Sequence, residues 1–236
     1  MEVARYQLFI GPIQSVMEQI QAVLVDIDGT TADCEKRNRG VLEDLALLNG
    51  GKIEPQDWQV LAGTNDRFIH GWLAKKFTGF AIAQDNFVKE VMKGYLRRAF
   101  EVVARDGMVD NFNHIISRNI PVAAVTNSPT NIATSNMTAT GCTHFMQFVL
   151  TADDVEAAGH AIKPSPDPYL LAAARLGVPA SACLVFEDSA TGVKSGVAAG
   201  CTVVQIVDDP AMASPEAHFH VYNPAELRAI CKKLIP

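Results

Sequence analysis

Short, continuously apolar runs alternate with helical patterns along most of the chain. Residues 22–25, Ala-Val-Leu-Val, carry no polar interruption and stop at Asp26-Ile-Asp28-Gly29-Thr30. Such continuity predicts a strand covered on both faces, as in a parallel sheet. Two later segments repeat the grammar. Residues 121–125 run into Thr126-Asn127-Ser128, and 182–186 run into Glu187-Asp188-Ser189. Residues 145–150 and 201–207 are predicted as further strands. Helical patterns stand between them at 108–118, 129–140, 167–177 and 189–199, with Gly141, Gly177 and Gly200 as stops. Another short helix is predicted over 12–20, where Ile13, Val16, Met17 and Ile20 share one face.

Strands alternating with helices call for right-handed crossovers and an α/β fold, a doubly wound, Rossmann-like parallel sheet. Ligands bind such sheets outside the carboxyl ends of the strands. The three polar clusters fall there by construction. Residues 34–100 break the alternation, reading as consecutive helices at 35–48, 55–62, 65–76 and 86–100. Phe68/Trp72 and Phe87/Val91/Tyr95 recur at helical spacing, and Trp58 and Trp72 read as the interior of this segment. The expected organisation is therefore a core made of 1–33 and 101–236, with 1–20 as an N-terminal extension. Residues 34–100 form an inserted helical cap over the sheet edge. Gly192, Gly196 and Gly200 read as close packing of a helix on the sheet.

Composition narrows the class. The chain has 236 residues, 48% hydrophobic and 19% charged, which suits a globular fold and rules out disorder. A net charge of −6 argues against nucleic acid or an anionic membrane as partner. No apolar run approaches a membrane span. The five cysteines are scattered without a C-x-x-C pair, and the N-terminus lacks the basic start and apolar stretch of a signal peptide. Reduced thiols in a cytoplasmic protein are expected.

The chemistry concentrates in the polar clusters. At a strand end, residues two apart point to one side, so Asp26 and Asp28 can face one cleft, with Gly29 permitting a turn. One carboxylate could attack phosphorus while the other works as acid and base; a strand end with an Asx turn is the alternative. Thr126 and Asn127 offer a hydroxyl and an amide suited to phosphoryl oxygens, or an ordinary turn and helix cap. Lys163, before Pro164-Ser165-Pro166-Asp167, is a cation in a proline-stiffened loop, or a solvated surface charge. Asp26, Asp28, Glu187 and Asp188 bring four acids to one edge against Lys163. Two like charges about 4 Å apart repel by about 4 kcal/mol at an effective dielectric near 20. Such an all-oxygen cluster demands a divalent cation, and Mg²⁺ suits it best.

The order DIDGT, TNS, KPSPDPY, EDSATGVKSGVAAG resembles the haloacid dehalogenase superfamily, in its phosphatase and β-phosphoglucomutase-like branch with a helical cap. The resemblance runs from about residue 21 over nearly the whole chain. It implies Asp26 as the nucleophile that forms an aspartyl-phosphate, and Asp28 as general acid/base whose main-chain carbonyl also touches Mg²⁺. It further implies Thr126 and Asn127 on the phosphoryl group and Lys163 as neutralising cation. Asp188 becomes a metal ligand, and Glu187 one directly or through water. The chain departs from the pattern at Thr31, where relatives usually carry an apolar residue.

Substrate choice is expected to come from the cap, where Thr64, Asn65 and Arg67 follow Gly63 in a polar turn leading into a helix; for Arg67 a solvated helix charge is the alternative. Asp153-Asp154 reads as a loop or helix cap, and His160 as a surface-loop residue. The expected activity is Mg²⁺-dependent hydrolysis of a phosphomonoester, with a sugar or polyol phosphate as substrate. A phosphomutase using the same phospho-enzyme is the first rival. An aspartyl-phosphate receiver domain is the rival from another class, although receivers carry adjacent acids and have no place for a cap. The expected partner is a small phosphorylated metabolite, neither nucleic acid nor membrane, with monomer and homodimer both open.

Overall fold

A computed structural model of the chain describes residues 20–61 and 64–236. The helix expected over 12–20 lies, except for Ile20, outside the described residues. Strand β1 (Ala22–Val25) leads into a short antiparallel ribbon of β2 (Ala32–Asp33) with β3 (Val103–Ala104). The chain between those two strands is helical: α1 (Glu35–Leu48), α2 (Trp58–Leu61), α3 (Asp66–Lys76) and α4 (Gln84–Arg97). The helix expected at 55–62 is a 3₁₀ turn, Pro55–Asp57, followed by α2, and the one expected at 86–100 starts earlier and ends in a second 3₁₀ turn.

The rest runs α5 (Met108–Ser117), β4 (Val122–Val125), α6 (Thr130–Thr140), β5 (Met146–Leu150), α7 (Ala152–Ala157), α8 (Asp167–Leu176), β6 (Cys183–Glu187), α9 (Ala190–Ala198), β7 (Thr202–Ile206), β8 (Phe219–Val221) and α10 (Pro224–Leu234); all but α7, β8 and α10 are elements the sequence pattern predicts. Strands β1 and β4 to β8 form one parallel sheet in the order β5-β4-β1-β6-β7-β8. This is the Rossmann-like α/β fold read from the sequence. Strand order reverses around β1, so the crevice for a ligand opens where β1, β4 and β6 end.

Both faces of the sheet are apolar. Val23 and Val25 join the core under α5, α6 and α10, whereas Ala22 and Leu24 join the core under α8 and α9. That explains why β1 shows no polar alternation. Residues Val41, Leu45, Ile69, Leu73, Phe87 and Val91 form a third apolar cluster drawn from the helical segment alone, with Trp58 and Trp72 packed against it. The Phe68/Trp72 stripe is corrected in one respect. Ile69 and Leu73 are the inward pair, and Phe68 is 48% exposed. Among the described residues, no helix is long and apolar enough to cross a membrane. The five cysteines are buried and free.

Candidate active site

The clusters meet because the strand registers align their ends. Val25 pairs with Ala124 on one side and Phe186 on the other, so Asp26, Thr126 and Glu187 leave one edge together. The Asp26 N–H still donates to the Phe186 carbonyl at 3.0 Å. Past it the chain reverses: the N–H groups of Thr31 and Ala32 both donate to the Ile27 carbonyl. Gly29 takes φ +88°, and a Cβ there would fall on the Asp188 carboxylate, so glycine is required twice over. Thr31, the departure from the family pattern, is buried and donates its hydroxyl to the Asp26 carbonyl at 2.7 Å.

Lys163 is only 4% exposed. Its three ammonium hydrogens have three acceptors: Asp26 Oδ1 at 2.7 Å, Glu187 Oε1 at 2.6 Å and the Val125 carbonyl at 2.8 Å. Burial alone would depress this ammonium, but the charges of Asp26 and Glu187 overcome it and hold it well above its ordinary value. Asp26 is driven up by burial, pulled back by Lys163, and pushed up again by Glu187, Asp188 and Asp28; the net shift is upward. Asp188 is pushed up to about 7, first by burial and then by Glu187.

Glu187 is fully buried and saturated with donors. Oε1 accepts from Lys163 and, at 3.1 Å, from the Tyr169 hydroxyl. Oε2 accepts from the main-chain N–H of Asp188 and of Ser189, and from the Ser189 hydroxyl. Helix α9 can approach this carboxylate only because Gly192 has no Cβ, which would overlap it. Gly196 sits likewise against Val203 and Val185, as expected, whereas Gly200 packs against nothing among the described residues and serves instead as a stop at φ +83° after α9. Asp188 accepts from Thr30 Oγ1 at 3.0 Å through Oδ1, and its carbonyl is held by the Gln205 side chain.

Carboxylate oxygens of Asp26, Glu187 and Asp188 lie within 4.8 Å of one another and are the one group of metal-ligand type among the described residues. Three acids face one ammonium there. That surplus and the all-oxygen donor set fit a hard divalent cation. The Asp28 side chain is not part of this group. Its Oδ2 accepts from Ser128 Oγ at 2.7 Å and its Oδ1 from Asn136 Nδ2 at 2.5 Å.

Thr126 Oγ1 lies 3.5 Å from Asp28 and accepts from the Ser128 N–H. The Asn127 side chain is committed elsewhere. It donates to the Lys163 carbonyl and accepts from the Lys163 N–H, both at 3.0 Å, and so ties the two loops. Thr64, Asn65 and Arg67 make their bonds within the helical segment. Thr64 bonds the Leu61 carbonyl, Asn65 caps α3, and Arg67 meets Gln84 and Asp85. Asp153 caps α6 through the Thr130 N–H, Asp154 completes a capping box with Thr151, and His160 lies by Asp167.

Sequence reasoning passed over Tyr169, Arg37 and Asn136. Tyr169 closes the lysine motif. Arg37 and Asn136 are polar residues on buried helix stripes, Arg37 in step with Val41 and Leu45, and Asn136 with Ile132, Ala133 and Met137. A polar residue on an apolar stripe was the available signal.

Fold and site thus define a doubly wound α/β protein with a buried lysine–carboxylate cluster at its topological switch point. A family model of haloacid dehalogenase-like hydrolases matches residues 20–200, and the chain belongs to that family. The chain is 37% identical over 193 residues to the fructose-1-phosphate phosphatase YqaB of Escherichia coli, covering 80% of this chain and 97% of that one. It is 34% identical over 189 residues to hexitol phosphatase A of the same species, covering 78% and 81%. A β-phosphoglucomutase structure from Clostridium difficile superposes with a TM-score of 0.70 at 20% identity, over 91% of this chain and 97% of that one. At that identity the likeness is one of fold.

Proposed function

We propose that the protein, a phosphoric monoester hydrolase of this family, is Mg²⁺-dependent and hydrolyses a sugar or polyol phosphate through an aspartyl-phosphate on Asp26. The observation that carries this is the Lys163 ammonium, buried between Asp26 and Glu187. It holds a carboxylate in fixed orientation at the ligand crevice, next to acids that need a cation. The relatives that act on fructose 1-phosphate and on hexitol phosphates support the substrate class.

In this reading an Asp26 oxygen attacks phosphorus, the bond to the leaving oxygen breaks, and Asp28 gives that oxygen its proton. Water then attacks the phosphorus of the aspartyl-phosphate and passes its proton to Asp28, releasing phosphate and freeing Asp26. The Thr126 hydroxyl and the Asn127 main-chain N–H would receive phosphoryl oxygens, since the Asn127 side chain is occupied. Lys163 balances charge on Asp26 throughout. Asp26, Asp188, the Asp28 carbonyl, and Glu187 directly or through water would hold Mg²⁺; Glu187, with both oxygens saturated, fits the indirect role better. When bound, the ion supplies neutralisation between the acids and an incoming phosphate. Residues 34–100 would serve as a cap on the core of 1–33 and 101–236.

Phosphate release should be measured over a panel of hexose, hexitol and nucleotide monophosphates, with Mg²⁺ and with excess chelator. Turnover of sugar or polyol phosphates that vanishes with chelator is expected. Full turnover after exhaustive metal removal would refute the metal requirement, and release from nucleotides alone would refute the substrate class. Conversion of one hexose phosphate isomer into another, without free phosphate, would assign a mutase.

A further inference from the structure

Arg37 is a buried cation that the chemistry above does not use. It is 1% exposed and lies in the first turn of α1, in the helical segment. Its guanidinium stacks 4.5 Å over the Tyr95 ring. Nε and Nη2 both donate to Asn38 Oδ1, at 3.0 and 2.9 Å. Nη1 donates to Asn136 Oδ1 on α6, across the boundary between the helical segment and the sheet layer. The carboxylate it pairs with is Asp28, whose Oδ1 lies 3.8 Å from Nη2. A buried ion pair is weak evidence for stability, since apolar replacements often serve as well.

A guanidinium only donates, so the amide of Asn136 must turn its oxygen toward Arg37. Its Nδ2 end is then directed at Asp28 Oδ1, which it meets at 2.5 Å. Asn136 is fully buried, so neither end has water as a substitute partner. The Ser128 hydroxyl fixes the other oxygen of Asp28. A side chain with two free torsions is thereby held at both oxygens, one of them by a relay from the helical segment.

We propose that Arg37 and Asn136 are positioning residues that orient the Asp28 carboxylate for proton transfer, Arg37 acting through the Asn136 amide. The inference rests on the reading of Asp28 as acid and base. If it holds, Asn136→Ala should impair leaving-group protonation, and Arg37→Lys, which keeps the charge but lacks the planar fork, should do so in the same sense.

The test compares kcat/KM for glycerol 3-phosphate and for p-nitrophenyl phosphate, because kcat/KM covers the steps through leaving-group departure. Asp28→Asn serves as reference, and circular dichroism and Tm report folding. In Asn136→Ala the alkyl ester should slow by about 10- to 100-fold, the aryl ester by less than about 3-fold. The double variant should lose no more than Asn136→Ala alone, because both act on one contact. If Asn136→Ala does not fold, the same asymmetry in Arg37→Lys carries the test. Equal slowing of both esters, or no slowing, while Asp28→Asn still discriminates between them, would overturn the relay. Failure of Asp28→Asn to discriminate would instead overturn the role of Asp28, and the relay with it.

Discussion

The carboxyl edge of the sheet and the exposed surface of the helical segment handle charge in opposite ways. At the sheet edge Lys163, Asp26 and Glu187 are buried, and Lys163 donates to both carboxylates. On the helical segment the Arg67 side chain is 61% exposed and, among the described residues, meets Gln84 and Asp85 alone. Exposed pairs of that kind contribute roughly 0–1 kcal/mol, whereas breaking a buried pair costs about 3–5 kcal/mol. The first region is therefore a fixed lattice in which each side chain has one place. The exposed surface of the second, unlike its buried Arg37, is free to change residue without disturbing the fold.

The largest effect that would separate the two regions is at the nucleophile. Asp26→Asn keeps an acceptor for Lys163 at nearly the same volume, so the fold should survive. Turnover should fall by at least about a thousandfold, and no phospho-enzyme should appear in intact mass after acid quench. Wild-type turnover would remove Asp26 from the chemistry and weaken the contrast at its strongest point.

Glycine-to-alanine exchanges sharpen the comparison through stability. A Cβ at Gly192 would overlap the Glu187 carboxylate, and Lys163 would lose its seat with it. Gly192→Ala should cost about 1–3 kcal/mol as overpacking and reduce activity together with Tm. Gly71, inside α3, has nothing within 4 Å of a built Cβ. Gly71→Ala should raise stability by about 0.5–1 kcal/mol and leave turnover unchanged. Thermal unfolding of both variants checks the pair; equal losses would mean that the helical segment is as tightly constrained as the sheet edge.

The same contrast governs how much could be read from the sequence. The buried strands were legible because both faces of the sheet are covered, leaving β1, β4 and β6 without polar interruption. Their polar ends were legible for the same reason, since a continuous apolar run has a sharp stop. Strands β2 and β3, at two residues each, are too short to carry any pattern, and β8 mixes Phe219 with His220 at the sheet edge. Helix α7 had its capping box, Thr151 to Asp154, in plain view. Within the site, residue type was readable but side-chain partner was not. Nothing in TNS distinguishes an asparagine aimed at phosphate from one paired with the Lys163 main chain. Nor does spacing alone tell that Arg37 turns inward while Arg39, two residues on, lies over Trp58.

The smallest expected effect concerns Arg67, where the structure and the sequence reading pull apart. Its partners are local, and Asn65 already caps α3 by accepting from the Phe68 N–H, so the helix does not depend on Arg67. Arg67→Ala should therefore shift Tm by no more than about 2 °C, as expected for losing an exposed pair. If this turn reads substrate, the guanidinium would exchange Gln84 and Asp85 for an anionic or hydroxylated group on the ligand, a charge-assisted contact of greater worth. The ratio of kcat/KM between phosphoglycolate and a hexitol phosphate would then change by about tenfold, with p-nitrophenyl phosphate unaffected because its ring offers no such group. Unchanged ratios at unchanged Tm would take Arg67 out of the substrate site. A uniform loss on all three esters with a marked fall in Tm would place it in the framework of the helical segment, and the division between a fixed edge and a variable surface would have to be drawn elsewhere.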